Sequence, residues 1–243
     1  MYKSALLITG LLMAFFTHAQ QGDLLVHAPN VQKRDVGSFH GISVSSSIDL
    51  VVKQGNEEGV AVSASDPALR DRIVTSVENG ILHIYLKDNG FHWNWGWNNQ
   101  HLKAFVSFKT LNQLSASGSS DIYVDGSINT DNLSISLSGS SDFKGAVHTN
   151  QLQLQQSGSS DANISGTAGT ASIHLNGSSD VKAYDLSVDV CTISAHGSSD
   201  THITVNKELS VYNSGSSDVN YKGNAVVKEF HSSGSSEINK KSS

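Results

Sequence analysis

The 243-residue sequence contains one cysteine and two prolines, and only 7% of its residues are aromatic and 16% charged. Each scarcity closes a route. A single thiol, Cys191, forms no intramolecular disulfide, so stability must come from packing and backbone hydrogen bonds. The 16 Lys and Arg are outnumbered by 22 Asp and Glu, for a net charge of −6. Nucleic acid is held by clustered cations, so this balance argues against it as a partner. What the chain has in excess is 21 Gly and 41 Ser. Such a composition belongs either to a disordered chain or to a repetitive one, and a hydrophobic content of 37% does not decide between them.

The only long apolar run lies at the start. Lys3 supplies a positive charge, Ala5 to Phe16 is almost continuously apolar, and Thr17-His18-Ala19 ends in the small residue favoured at a signal-peptidase cut. Residues 1–19 therefore read as a secretory signal peptide, since the run is short for a membrane span. No cysteine stands at the cut, where Gln20 follows Ala19, which predicts an exported protein without a lipid anchor, placed in the periplasm, on the outer surface or outside the cell.

Phase resolves the Ser and Gly excess. Gly-Ser-Ser-Asp begins at Gly118, Gly139, Gly158, Gly177, Gly197 and Gly215, and Gly234 opens a seventh copy closing on Glu237, at steps of 21, 19, 19, 20, 18 and 19 residues. A fixed period of this size signals a solenoid. Four residues before each Gly stand Leu114, Ile135, Leu154, Ile173, Ile193, Val211 and Phe230; six before stand Asn112, Leu133, Leu152, Ala171, Cys191, Leu209 and Lys228. Strand side chains alternate with period two, so both columns face one way, and the residues between them, such as Ser134, Gln153, Ser172 and Thr192, are polar. After the turn the alternation resumes with Ile122, Phe143, Ala162, Val181, Thr201, Val219 and Ile238. Each repeat reads as strand, tight turn, second strand and a variable return. One coil is too small to bury its own apolar face, whereas stacked coils join their inward columns into one core. The expectation is an all-β β-solenoid with coils of about 19 residues over 111–239, Gly supplying positive φ at the corner.

Residues 38–110 predict irregular β coils acting as a cap, after a linker at 20–37, with 240–243 as a polar tail. Ile42, Val44, Ile48, Leu50 and Val52 alternate loosely, Thr75 to Leu86 reads as a hairpin turning at Asn79-Gly80, and Asp66-Pro67 to Arg72 as a loop or single helical turn. Ser45-Ser46-Ser47-Ile48-Asp49 is a degraded echo of the repeat, 72 residues before its counterpart and so near four coil lengths.

Three readings compete for the acidic column of Asp121, Asp142, Asp161, Asp180, Asp200, Asp218 and Glu237. The carboxylates serve as acceptors for turn amides and Ser hydroxyls, or gather calcium, or supply catalysis in one coil. One acidic position per coil falls short of calcium-solenoid patterns, and near-identical turns lack the asymmetry that acid–base catalysis needs. The first reading is favoured; no catalytic residue, no metal site and no cofactor is predicted. The offset of Cys191 makes it a buried hydrophobe. One segment breaks the composition: Phe91-His92-Trp93-Asn94-Trp95-Gly96-Trp97 holds every tryptophan. Trp93, Trp95 and Trp97, with His92, either plug the cap or form an exposed aromatic surface for a sugar or a partner.

At these residues the chain resembles the head GIN domain family of auto-transporter adhesins. The resemblance rests on an opening from Phe39 to Gly55 of the form Phe-x-x-Ile-x-Val-Ser-x-x-x-Asp-Leu-x-Val-x-Gln-Gly, on the Gly-Ser turns, and on Asp180 to Leu186 and Tyr221 to Asn224. Family turns more often read Ser-Gly-Ala-Gly-Asp, and here Ser-Ser replaces Ala-Gly. The resemblance implies a right-handed β-helix-like fold, a right-handed β-solenoid, with export from the cytoplasm and no established enzymatic activity. The expected function is that of a non-catalytic, adhesin-like or envelope-associated module binding a cell-surface glycan or an envelope protein. The alternatives are a polysaccharide-acting β-helix enzyme and a calcium-stabilised structural solenoid. The sequence identifies neither the ligand nor the oligomeric state.

Overall fold

A computed structural model of the protein describes residues 28–87 and 101–242. Five long strand elements carry the repeats: β9 (Ile122–Gly139), β10 (Phe143–Gly158), β11 (Ala162–Gly177), β12 (Val181–Gly197) and β13 (Asp200–Gly215). They pair in parallel, one coil apart, with Leu133, Leu152, Ala171, Cys191 and Leu209 in one register and Ile135, Leu154, Ile173, Ile193 and Val211 in another. Both columns are buried, and the stack forms a β-solenoid of about 7 turns. Burying a large aliphatic side chain contributes about 1.5–3 kcal/mol, so inward residues repeated in every layer hold the stack against the cost of ordering it.

The variable return expected after the second strand is itself strand. Two irregular positions divide each coil into three runs: a ladder shift near Gly126, Gly145, Gly166 and Asp185, and a skipped residue at Asp131, Asn150, Gly169 and Asp189. The unequal coil lengths are absorbed at these shifts, which leaves the Gly-Ser-Ser-Asp corners in register. The corner glycines all have positive φ, from +80° to +109°.

The last layer consists of β14 (Asp218–Lys222), β15 (Val226–Gly234) and β16 (Ile238–Lys240). Here the columns need two corrections. Lys228 is not inward: the β13–β15 ladder shifts after Leu209↔Val227, so Val227 takes the inward place and Lys228 bulges out beside Glu208. Phe230 does pair with Val211 but is 44% exposed, because no described layer lies beyond it. At the other end of the same columns Asn112 is also exposed, and Leu111 is the buried residue.

The opposite end is built differently. β2 (Gly41–Val44) and β3 (Asp49–Gln54) lie directly on β8 (Gln113–Ala116) and β9, with Leu50 paired to Ile122. The Ser45–Asp49 echo is thus the adjacent layer and not four coils away. The chain between them rises into a cap of β4 (Gly59–Ser63), α1 (Pro67–Arg70), β5 (Ile73–Glu78), β6 (Ile81–Leu86) and β7 (Lys103–Phe108) before it returns. β6 and β7 stack in parallel on β2 and β3, whereas β4 runs antiparallel to β7, β5 to β6, and edge strand β1 (Gln32–Arg34) to β4. Asn79 and Gly80 both have positive φ, as a two-residue hairpin turn requires, and Asp66 caps α1 by accepting from the Ala68 amide at 2.7 Å. Cys191 lies fully inside, and burial pushes its thiol up to about 12.

Candidate functional site

The most regular polar structure is the corner column, which forms two hydrogen-bond ladders of opposite sense. The second Ser of each turn is buried at Ser120, Ser141, Ser160, Ser179, Ser199 and Ser217, while the first is exposed. Ser Oγ accepts from the Ser amide of the preceding coil: Ser141 from Ser120, Ser217 from Ser199 and Ser236 from Ser217, each at 3.3 Å. The carboxylates run the other way. Asp121 accepts from the Asp142 amide at 3.1 Å, Asp142 from Asp161 at 3.1 Å, Asp161 from Asp180 at 3.3 Å, Asp180 from Asp200 at 3.2 Å and Asp218 from Glu237 at 3.0 Å. At the remaining step the Asp218 amide donates to the Ser199 carbonyl at 3.1 Å. From Ser140 onward the amide of the first Ser donates to the Gly carbonyl of the coil before, as Ser178 does to Gly158 at 2.8 Å. Gly-Ser-Ser-Asp thus supplies side-chain acceptors for amides at a corner that has left the regular sheet ladder, the carboxylates at five of the six steps between coils and the Ser hydroxyls at three.

Carboxylates one strand spacing apart, about 4.8 Å, repel one another. Burial holds the Asp142 carboxyl above its ordinary value, helped by the charges of Asp121 and Asp161 and opposed by the Asp161 amide and Lys182. Asp49, at the head of the column, is raised by burial and by Asp121. Tyr123 donates to Asp121 at 3.2 Å and Lys182 lies 3.6 Å from Asp161. Among the described residues no group of three or more His, Cys, Asp or Glu side chains is placed to hold a metal ion.

A raised carboxyl contributes stability that is present below its ordinary value near 4 and is lost as pH rises through the folded value. Asp142→Asn keeps the acceptor for Asp161 and removes the charge, so at pH 7 it is expected to match or exceed wild-type stability and to flatten the decline between pH 4 and 7. Asp142→Ala loses the acceptor and is expected to cost about 1 kcal/mol. Urea melts of the three proteins across that range check this; equal destabilisation by both variants would show that the charge itself is needed.

A different feature has the shape of a binding site. An open groove of about 700 Å³ runs along the stack where the coils bend near residues 131, 150 and 169. One wall is the column Gln113, Ser134, Gln153, Ser172 and Thr192, and the other is Asn132, Gln151 and Thr170. Leu133, Leu152 and Ala171 form a nearly covered floor, and His40, hydrogen-bonded to Asn112 at 3.2 Å, closes one end. No Asp, Glu, Lys or Arg lines it. Sequence reasoning placed these Ser, Thr and Gln residues as outward polar positions but not as a site; the signal was the unbroken run of uncharged hydrogen-bonding side chains at one offset.

Trp93, Trp95, Trp97 and His92 lie outside the described residues. The chain on either side of them is fixed one layer above the Ser45–Asp49 corner. The Ser45 amide donates to the Ile84 carbonyl at 3.0 Å and the Asp49 amide to the Leu102 carbonyl at 2.9 Å.

Parallel coils, a register-locked Ser/Asp corner and an antiparallel cap define a class of protein, the β-solenoids. Residues 38–225 match the family described as "Putative auto-transporter adhesin, head GIN domain", and the chain belongs to that family. Similar solved structures include a "putative adhesin" from Bacteroides fragilis (19% identity, 87% of this chain and 96% of that one, TM-score 0.77). A "putative lipid binding protein" from Parabacteroides distasonis is also similar (21% identity, 89% and 98%, TM-score 0.67), as is a "putative adhesin" from Parabacteroides merdae (16% identity, 89% and 97%, TM-score 0.64). These likenesses show the fold. Comparison with curated proteins finds no match. Neither the family nor these neighbours are named as enzymes, and no helix among the described residues is long and apolar enough to cross a membrane.

Proposed function

We propose that the chain is exported through the leader at residues 1–19 and works outside the cytoplasm as a non-catalytic, adhesin-like module that holds an uncharged glycan along the polar groove. The observation that carries this reading is the groove's lining. Amide and hydroxyl side chains repeat at the strand spacing of about 4.8 Å over a narrow apolar floor. Uncharged donors and acceptors at that spacing suit sugar hydroxyls. A phosphorylated or sulfated ligand would find no cation among the lining residues, and glycoside hydrolysis would find no carboxylate pair. In this reading the tryptophan segment is a second contact, because indole rings stack on sugars.

The test is a glycan array followed by titration calorimetry on the glycans retained. Gln151→Ala with Gln153→Ala is expected to weaken binding by about tenfold or more, two hydrogen-bonding amides having been removed. Asp142→Asn should leave it unchanged. Binding that is lost only when Trp93, Trp95 and Trp97 are changed together would move the site off the groove. An array that retains only acidic glycans would overturn the reading.

A further inference from the structure

The two ends of the solenoid are finished differently, and the contrast points to a partner. The cap end is closed by antiparallel strands and α1, with Lys33 and Arg34 on its edge strand β1. Charged edges of this kind resist further pairing. At the opposite end β15 pairs with β13 alone and β16 with β14 alone among the described residues, so one edge of each is free. That end is also apolar: Val226 is 60% exposed, Val227 37% and Phe230 44%. Among the described residues no polar capping repeat covers these columns, although solenoid folds need one at an exposed end.

The sequence of β15 is complementary to itself. Antiparallel pairing about a twofold axis passing between residues 228 and 229 sets Val227 opposite the Phe230 of a second copy, and Lys228 opposite its Glu229. The ladder shift at Lys228 matters here, because it places Val227 and Phe230 on the same inward face, as opposed residues must be. Lys228 already lies 3.5 Å from Glu208, and Glu229 accepts from the Tyr212 hydroxyl; all four groups sit on the outer rim, where a second copy would extend the pairs into a network. We propose that this end is a homodimer interface: two copies stack terminal coil to terminal coil through β15, continuing the sheet across a twofold axis. The interface is isologous, and the capped far ends close the assembly at two instead of allowing a filament.

Sedimentation and light scattering, measured across a dilution series, test the proposal through charge. Wild type is expected to be a dimer. Lys228→Glu sets acidic pairs against each other and Glu229→Lys basic ones, so each alone is expected to be a monomer. Both residues are exposed, and neither change disturbs the core. Mixing the two single variants restores a dimer holding one copy of each, and the double variant Lys228→Glu/Glu229→Lys dimerises with itself. A wild type that stays monomeric throughout would overturn the proposal. So would single variants that remain dimeric, or variants that stay apart on mixing.

Discussion

Gly177→Ala is expected to cost on the order of 4 kcal/mol or more and to separate the coils on either side of it, because two penalties coincide at that corner. Gly177 has φ +101°, which an Ala adopts only under strain, and a Cβ built there would lie 2.5 Å from the Gly158 carbonyl oxygen and 3.1 Å from its nitrogen. Those are backbone atoms of the adjacent layer, so the contact is relieved only by parting the layers and losing the Ser178 to Gly158 hydrogen bond. Two control substitutions isolate the steric part. Gly126→Ala has φ +87° with nothing within 4 Å, and Gly118→Ala has φ +80° with its nearest atom, the Ser46 nitrogen, at 3.8 Å. Each should cost only the conformational strain, about 1–2 kcal/mol. Denaturant unfolding of the three variants ranks them, and equal costs would mean that close stacking is not what keeps glycine in the column.

Gly118 is spared for a reason that also shows what could be read from sequence. The layer above it is the degraded corner, where Ser46 and Ser47 themselves hold positive φ, +67° and +58°, and the chain stands further off. The echo at Ser45–Asp49 was legible because it keeps the repeat's polarity pattern. Its position was not, because 72 residues lie near four coil lengths, and only the pairing of Leu50 with Ile122 shows that the intervening chain goes up into a cap and returns. The inward columns were legible wherever a ladder runs without a shift. They failed at Lys228, where a bulge displaces the phase by one residue and period-two counting cannot see it.

The candidate site was hidden for a related reason. Its walls are residues that alternate outward as any solvated strand would, such as Gln151 and Gln153, and nothing in their types distinguishes a convex face from a concave one. Concavity arises from where the coil bends, and the bends depend on single residues that leave the ladder, such as Asn150 and Gly169. The corner Ser and Asp residues drew attention because they repeat. The carboxylate ladder ties that repetition to satisfying the acidic residue's amide in coil after coil.

Phe143→Ala is expected to be the most costly of the large-to-small changes, about 3–5 kcal/mol. Its ring is the largest side chain in its column, lying between Ile122 on one layer and Ala162 on the next, with almost no exposure. Neither neighbour can expand into the space it leaves. Position 145 of the same coil, paired with Ile164 on one adjacent layer, is Gly, and a Cβ there would lie 2.4 Å from the Val124 side chain of the other layer and 3.2 Å from the Phe143 ring. Large and small exchange places between this layer and the next, Phe143 with Gly145 against Ala162 with Ile164, while the Val124 side chain of the preceding layer already fills the space at position 145. Tyr123→Ala provides the contrast, since that ring sits one residue from Ile122 but points outward and is 41% exposed. Its loss should cost about 1 kcal/mol or less. Comparable costs for the two, measured by urea unfolding, would show that the layers repack freely and that the large–small exchange carries no weight.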